Sequence, residues 1–192
     1  MVQPAAAQAL SADAQKLLQW VRTTADHGSG PFAIIDKRQA RLWLFDARGA
    51  QIGQTPVLLG LAPGDTSVPG IGERPLSEIR PHERTTPAGR FVAEPGQNAS
   101  GEDIYWIDYD AAVSLHRVRT SRAAEGRLQR LASATAADNR ISYGCINVPA
   151  AFYDRQIQPL FKSGAGVVYL LPESAALTSM FPGMLASPAR GR

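Results

Sequence analysis

From residue 32 onward the apolar residues leave helical spacing and fall into short runs closed by turn residues, a pattern that many short strands satisfy. Phe32-Ala33-Ile34-Ile35-Asp36 and Arg41-Leu42-Trp43-Leu44-Phe45 read as strands parted by a polar turn at Lys37-Arg38-Gln39. A second turn at Asp46-Ala47-Arg48-Gly49 leads to a third strand from Ile52 to Leu59, so the opening predicts an antiparallel meander. One helix precedes it, over about residues 12 to 25. Ser11 stands as N-cap, Asp13 suits the positive end of the helix dipole, and Ala14, Leu17, Leu18 and Val21 share a face. The breaker His27-Gly28-Ser29-Gly30-Pro31 ends the helix and puts His27 in a solvated loop.

Residues 60–84 carry eight Pro and Gly, which predicts a long irregular excursion with His82 on its surface. Pro87 and Gly89 make a sharp entry to a strand through Phe91 and Val92. Two further strands cover Ile104–Tyr109 and Ala112–Val118. The β pattern then breaks over residues 119–140, where Ala124, Leu128 and Leu131 share a helical face and Gly126 weakens the helix by about 1 kcal/mol relative to Ala. Pro149 opens a second amphipathic helix through Phe152, Tyr153, Ile157, Leu160 and Phe161, ending near Ser163-Gly164. Gly166–Leu171 is a last buried strand, and the tail from Pro172 reads as peripheral. The expected division is a helix and linker over 1–31, one mostly-β domain over 32–172 and a tail over 173–192. The domain holds a mixed, curved sheet with flanking helices.

A chain of 192 residues with 14 Pro and 17 Gly suits one turn-rich domain. The net charge is only +3, too small to argue for nucleic acid, but 17 of the 20 basic residues are Arg. Arg donates two parallel bonds to a carboxylate or phosphate, so the composition suits acidic partners. No stretch approaches the roughly 18 apolar residues of a membrane span. The first seven residues lack the basic start and apolar run of an export signal, which leaves a cytosolic protein or a mature exported form.

Chemistry concentrates in Ser142-Tyr143-Gly144-Cys145-Ile146-Asn147-Val148-Pro149, which holds the only cysteine. A lone Cys is often a small buried hydrophobe and a lone strand His a structural residue. Together they can also form a thiol nucleophile and its base, since a thiol attacks only as thiolate. His116, in the alternating run Val113-Ser114-Leu115-His116-Arg117-Val118, is the candidate base. The amides of Tyr143, Gly144 and Cys145 are candidate oxyanion donors, with Gly144 permitting a tight turn. With one Cys and three scattered His, no pair has zinc-like spacing, and no metal is expected.

The order His, then Ser-x-Gly-Cys-apolar-Asn, resembles the catalytic domain of the L,D-transpeptidases of bacterial cell-wall synthesis, whose signature is Ser/Thr-His-Gly-Cys-apolar-Asn/Arg after an upstream His. Ser142, Gly144, Cys145, Ile146 and Asn147 match it, and Thr86-Pro87-Ala88-Gly89-Arg90-Phe91 looks like the family's Thr-Pro-x-Gly-x-Phe element. The resemblance covers about residues 32–171. It implies Cys145 as nucleophile, His116 as base oriented by the backbone carbonyl of Arg117, and Ser142, Asn147 and Thr86 at the substrate. It implies no cofactor, a peptidoglycan stem tetrapeptide as acyl donor, D-alanine as leaving group, and a cell-envelope or periplasmic location with an export signal outside this chain. The acceptor is another stem, a wall-linked protein or water, so a same-fold hydrolase or carboxypeptidase and a non-catalytic wall-binding module stay open beside the transpeptidase. A papain-type protease fits less well, because there Cys precedes His.

Two positions depart from that pattern. Tyr143 stands where the family has a second His, and a phenol does not exchange protons near neutral pH without a large pKa shift. The 25 residues between His116 and Ser142 exceed the family's short spacer. The surplus, 119–140, reads either as a solvated helix and loop or as a lid whose Arg residues meet stem-peptide carboxylates.

Overall fold

The computed structural model describes residues 8–162 and 166–185. The expected helix end at Ser163-Gly164, the first seven residues and the last seven residues of the tail lie outside that range. Helix α1 (Ala12–Thr24) starts where Ser11 Oγ accepts the amide of Ala14 at 3.2 Å, and it buries Ala14, Leu17, Leu18 and Val21. The strands are β1 (Phe32–Asp36), β2 (Arg41–Phe45), β3 (Gln51–Pro56), β4 (Leu59–Gly60), β5 (Gly89–Gln97), β6 (Asp103–Asp108), β7 (Val113–Arg117), β8 (Arg140–Ser142), β9 (Ile146–Val148) and β10 (Gly166–Leu170).

Eight of these strands form one mixed sheet in the order β3-β2-β1-β10-β5-β6-β7-β9, with β1–β10 and β7–β9 parallel and the other neighbours antiparallel. The sheet is curved and nearly closed. The chain leaving β3 at one edge crosses to the other, where Leu58 exchanges both backbone hydrogen bonds with Asn147 (2.8 and 2.9 Å). That crossing splits the third strand, which the sequence reads as continuous from Ile52 to Leu59, into β3 and β4. The short β4 then pairs in parallel with β8.

β1 is buried on both faces. Phe32 and Ile34 pack under α1 with Trp43, Phe45 and Tyr169, while Ala33 and Ile35 join the inner core with Leu42, Leu115, Ile146 and Val168. Each large apolar side chain so buried is worth about 1.5–3 kcal/mol, and this double layer makes β1 and β10 the rigid spine. Residues 173–185 of the tail are not peripheral. Helix α5 (Leu177–Met180) and Phe181 cap the α1 layer, and Phe181 is 3% exposed. Apolar spacing over so short a segment is too weak to announce that packing.

His27 is not solvated either. Its ring packs on Phe32 at a 4.7 Å centroid distance and Nε2 lies 3.1 Å from the Ala47 carbonyl. Gly126, at φ +56°, ends the helical turn at Ala123–Glu125 and opens α2 (Arg127–Ala132). The single helical face read through Ala124, Leu128 and Leu131 is therefore broken: Leu131 is buried and Leu128 exposed. After Pro149 a rod of three segments, α3 (Ala150–Phe152), a π-helical stretch (Tyr153–Ile157) and α4 (Gln158–Phe161), lies on the inner core.

The excursion over 60–84 is a chain of three 3₁₀ turns pinned by Arg74–Glu83 (3.1 Å) and by Arg84 on the Ile79 carbonyl. His82 is exposed on it. Its base is held by Lys37, whose fully buried Nζ donates to Asp65 Oδ1 (3.0 Å), the Thr86 carbonyl (2.8 Å) and the Gly64 carbonyl (2.5 Å). Asp65 also accepts the amides of Glu173, Ser174 and Ala175, so one carboxylate fixes the excursion and the tail together.

Candidate active site

The parallel pairing of β7 with β9 sets His116 opposite Asn147. Leu115 and Ile146 turn into the inner core, which commits their neighbours to the other face. Cys145 enters β9 from a turn that only glycine can make at position 144. Gly144 has φ +131°, and a Cβ there would lie 2.9 Å from the Thr85 carbonyl oxygen and 3.3 Å from Val113. Ser142 is buried and clamps the same turn, with Oγ donating to the Cys145 carbonyl (2.6 Å) and accepting the Gly144 amide (3.1 Å). Thr86 Oγ1 donates to the Gly144 carbonyl (2.7 Å) and accepts the Gly60 amide (2.8 Å).

The partly buried thiol of Cys145 lies 3.6 Å from Ser114 Oγ and 3.6 Å from the Ala112 carbonyl. Burial pushes its pKa up, but the hydrogen bond and charge of His116, helped by Ser114, outweigh that and hold it below the ordinary thiol value. His116 Nδ1 is 2.7 Å from the Arg117 carbonyl, and Nε2 is 3.1 Å from Asn147 Nδ2. The Arg117 side chain turns away onto Asp103 (2.8 Å), Asp154 (2.7 Å) and the Tyr153 ring.

The structure thus gathers Cys145, His116, Asn147, Tyr143 and the Arg117 carbonyl at one place. Thr86 lies behind them, its side chain fully buried and its hydroxyl bonded to Gly60 and Gly144. Ser142 lines the same cleft as the thiol, and its hydroxyl is bonded within the turn. The Gly144 amide, expected as an oxyanion donor, is taken by Ser142. The amides of Tyr143 and Cys145 have no partner among the described residues.

Two side chains belong to the site without having been read from the sequence. Ser114 is two residues before His116 on one strand, a spacing that puts both on one face. Arg127 reaches in from the 119–140 segment and donates to Asn147 Oδ1 at 2.5 Å, a contact that no local pattern encodes.

A cleft of about 400 Å³ opens over the thiol, with Leu76 of the excursion on one side and Arg119, Arg122 and Arg127 on the other. The Tyr143 ring forms part of its wall and is covered by the Arg84 guanidinium at 3.9 Å. A larger recess of about 690 Å³, on the far side of the segment, holds neither Cys nor His. Among the described residues no three His, Cys, Asp or Glu group to hold a metal ion, and no helix is long and apolar enough to cross a membrane.

No family model matches the chain, and no curated protein matches it. Among solved structures it is similar to L,D-transpeptidases. The catalytic domain of the E. faecium L,D-transpeptidase is 18% identical over 76% of this chain and 99% of that one, with a TM-score of 0.43. The Mycobacterium smegmatis L,D-transpeptidase is 14% identical over 74% of this chain and 59% of that one, at 0.42. The helical cell shape determining protein Pgp2 of Campylobacter jejuni is 12% identical over 92% and 65%, at 0.48. The chain therefore spans all of one such domain and about three fifths of the longer proteins. All three are under 25% identical and below a TM-score of 0.5.

Proposed function

We propose that this chain is a cysteine acyltransferase of the cell envelope that acts on peptidoglycan stem peptides as an L,D-transpeptidase. The observation that carries the reading is a half-covered thiol beside an imidazole whose far nitrogen faces a backbone carbonyl, in a cleft rimmed by Arg. His116 Nε2 takes the proton of Cys145, and Sγ attacks the carbonyl of the stem's third residue. The oxyanion goes to the Tyr143 and Cys145 amides. His116 then gives its proton to the departing D-alanine nitrogen, leaving a thioester on Cys145. An amine of a second stem or of a wall-linked protein attacks that thioester and restores the thiol. Arg119, Arg122 and Arg127 suit the carboxylates of such a donor, which makes 119–140 a lid over the bound stem.

Hydrolysis of the same thioester is the second reading, and Tyr143 favours it. A phenol under a guanidinium stands where the family places a second imidazole, so proton exchange with an acceptor amine has one base fewer. A wall-binding module without catalysis has no need of a thiol open to the cleft beside an imidazole held by a backbone carbonyl. Mass spectrometry of a disaccharide-tetrapeptide incubated with the protein decides among these. Loss of D-alanine with Cys145 and none with Cys145→Ala is expected. Cross-linked dimers identify the transferase, a tripeptide alone identifies the hydrolase, and no turnover overturns both.

A further inference from the structure

The 119–140 segment reaches the catalytic pair through one chain of hydrogen bonds. Arg127 Nη1 donates to Asn147 Oδ1, and the other end of that amide lies 3.1 Å from His116 Nε2. A guanidinium has donors only, so the Asn147 atom facing it is the oxygen and the atom facing His116 is the NH₂. On the other side of the ring, Nδ1 lies 2.7 Å from the Arg117 carbonyl, which only accepts. His116 therefore carries its proton on Nδ1 and offers a lone pair at Nε2, to which Asn147 donates.

Neither partner can turn alone. Asn147 is fully buried, with its backbone bonded to Leu58 in both directions. Arg127 is 15% exposed, its Nε donates to Glu125 Oε2, and Arg130 holds the Glu125 carbonyl. A proton moving from Cys145 to Nε2 must displace the Asn147 donor, and the new N–H would then point at an NH₂. The locked amide thus favours neutral thiol beside neutral imidazole.

We propose that Arg127 is a positioning residue that holds the Cys145–His116 pair in its neutral resting form by fixing the Asn147 amide, and that an anionic group entering the cleft draws Arg127 away. Asn147 then turns its oxygen to the Nε2–H, and the thiolate–imidazolium pair becomes the favoured state. The lock stands on geometry alone, and its release by an anion rests on the stem-peptide reading above. The charged and titratable groups facing the pair are Arg119, Arg122 and Arg127, Glu102 and Glu125, and Tyr143 with Arg84 stacked on its ring.

The sign of one pH shift separates this from the alternatives. The rate of Cys145 alkylation by iodoacetamide is measured against pH for the full chain, for Arg127→Ala and for Arg127→Lys, with thermal melts alongside. The lock predicts that Arg127→Ala lowers the inflection by about one pH unit, so alkylation near about pH 6 quickens about tenfold. Loss of a cation's charge alone predicts a rise, since a nearby positive charge favours thiolate. Loosened packing alone changes the plateau rate and leaves the inflection in place. Arg127→Lys, still a donor to Oδ1, stays near the wild type, and it keeps the test open if the alanine variant does not fold. An unchanged or raised inflection in Arg127→Ala, or an Arg127→Lys inflection lowered as far as that of the alanine variant, overturns the proposal. In a second arm, disaccharide-tripeptide, which presents carboxylates with no D-alanine to expel, lowers the wild-type inflection and not that of Arg127→Ala. If Arg127→Ala shifts the inflection and the tripeptide does not, the lock stands and its release by this substrate class is overturned.

Discussion

Thr86 Oγ1 donates a 2.7 Å hydrogen bond to the carbonyl of Gly144, so two motifs 58 residues apart share one buried contact. The same oxygen accepts the Gly60 amide at 2.8 Å. Thr86→Val keeps the shape and strands both backbone groups, at about 1–3 kcal/mol each. A thermal melt is expected to fall by several degrees, with slower Cys145 alkylation as the turn relaxes. Unchanged melting and unchanged alkylation would contradict this role.

Gly144→Ala tests the turn itself. Its φ of +131° and the 2.9 Å approach to the Thr85 carbonyl leave no room for a Cβ. The strain, on the order of 1–3 kcal/mol, falls on the peptide that aims the thiol. We expect D-alanine release to drop at least tenfold while the melting temperature falls only modestly. Full activity in a folded Gly144→Ala chain is the opposing result.

The pH dependence of thiol reactivity follows from the causes acting on Cys145. Burial raises its pKa, but His116 and then Ser114 lower it by more, so the net value lies below the ordinary one. Alkylation should therefore rise with pH through an inflection below that of a free thiol. In His116→Ala the main lowering cause is gone, burial dominates, and the inflection should move above the free-thiol position. An inflection that stays put would remove His116 from the pair.

Lys37 and Asp65 give a stability test away from the chemistry. Burial pulls Lys37 down to about 8 against the pull of Asp65. Burial raises the Asp65 carboxyl, but the Ala175 and Ser174 amides and Lys37 outweigh it and leave it below its ordinary value. Asp65 thus adds stability that is complete above the ordinary carboxylate pKa and is lost as pH falls through its depressed folded value. Asp65→Asn leaves a buried ammonium without a counterion, at about 3–5 kcal/mol, or about 10 °C in melting temperature. It should also flatten the acid side of the melting-temperature profile. A smaller loss for Asp65→Asn than for Asp13→Asn, in the exposed pair Lys16–Asp13, would refute this role.

Local chemistry made most of the fold legible. The Ser11 cap, the apolar face of α1, the meander and the last strand are each written in neighbouring residues. What escaped is non-local. Leu58 changes sheet edges because Asn147 is waiting there, and Phe181 packs because α1 and β10 leave it a seat. The site divides in the same way. Cys145 and His116 stand in short motifs, and Ser114 was within reach of strand alternation. Arg127 comes from a segment whose composition says only that it is basic, and its aim at Asn147 depends on Gly126 breaking the helix. Thr86 and Ser142 lie in motifs expected at the substrate, yet their hydroxyls are spent on the turn that presents the thiol.

In the proposed reaction Cys145 forms an acyl-enzyme with a stem peptide. Intact-protein mass spectrometry after brief exposure to disaccharide-tetrapeptide tests it most directly. The thioester gives a mass increase equal to the donor less D-alanine, carried by the peptide that contains Cys145, reversed by hydroxylamine and absent from Cys145→Ala. An unmodified wild-type chain alongside released D-alanine, or an equal adduct on Cys145→Ala, would contradict it.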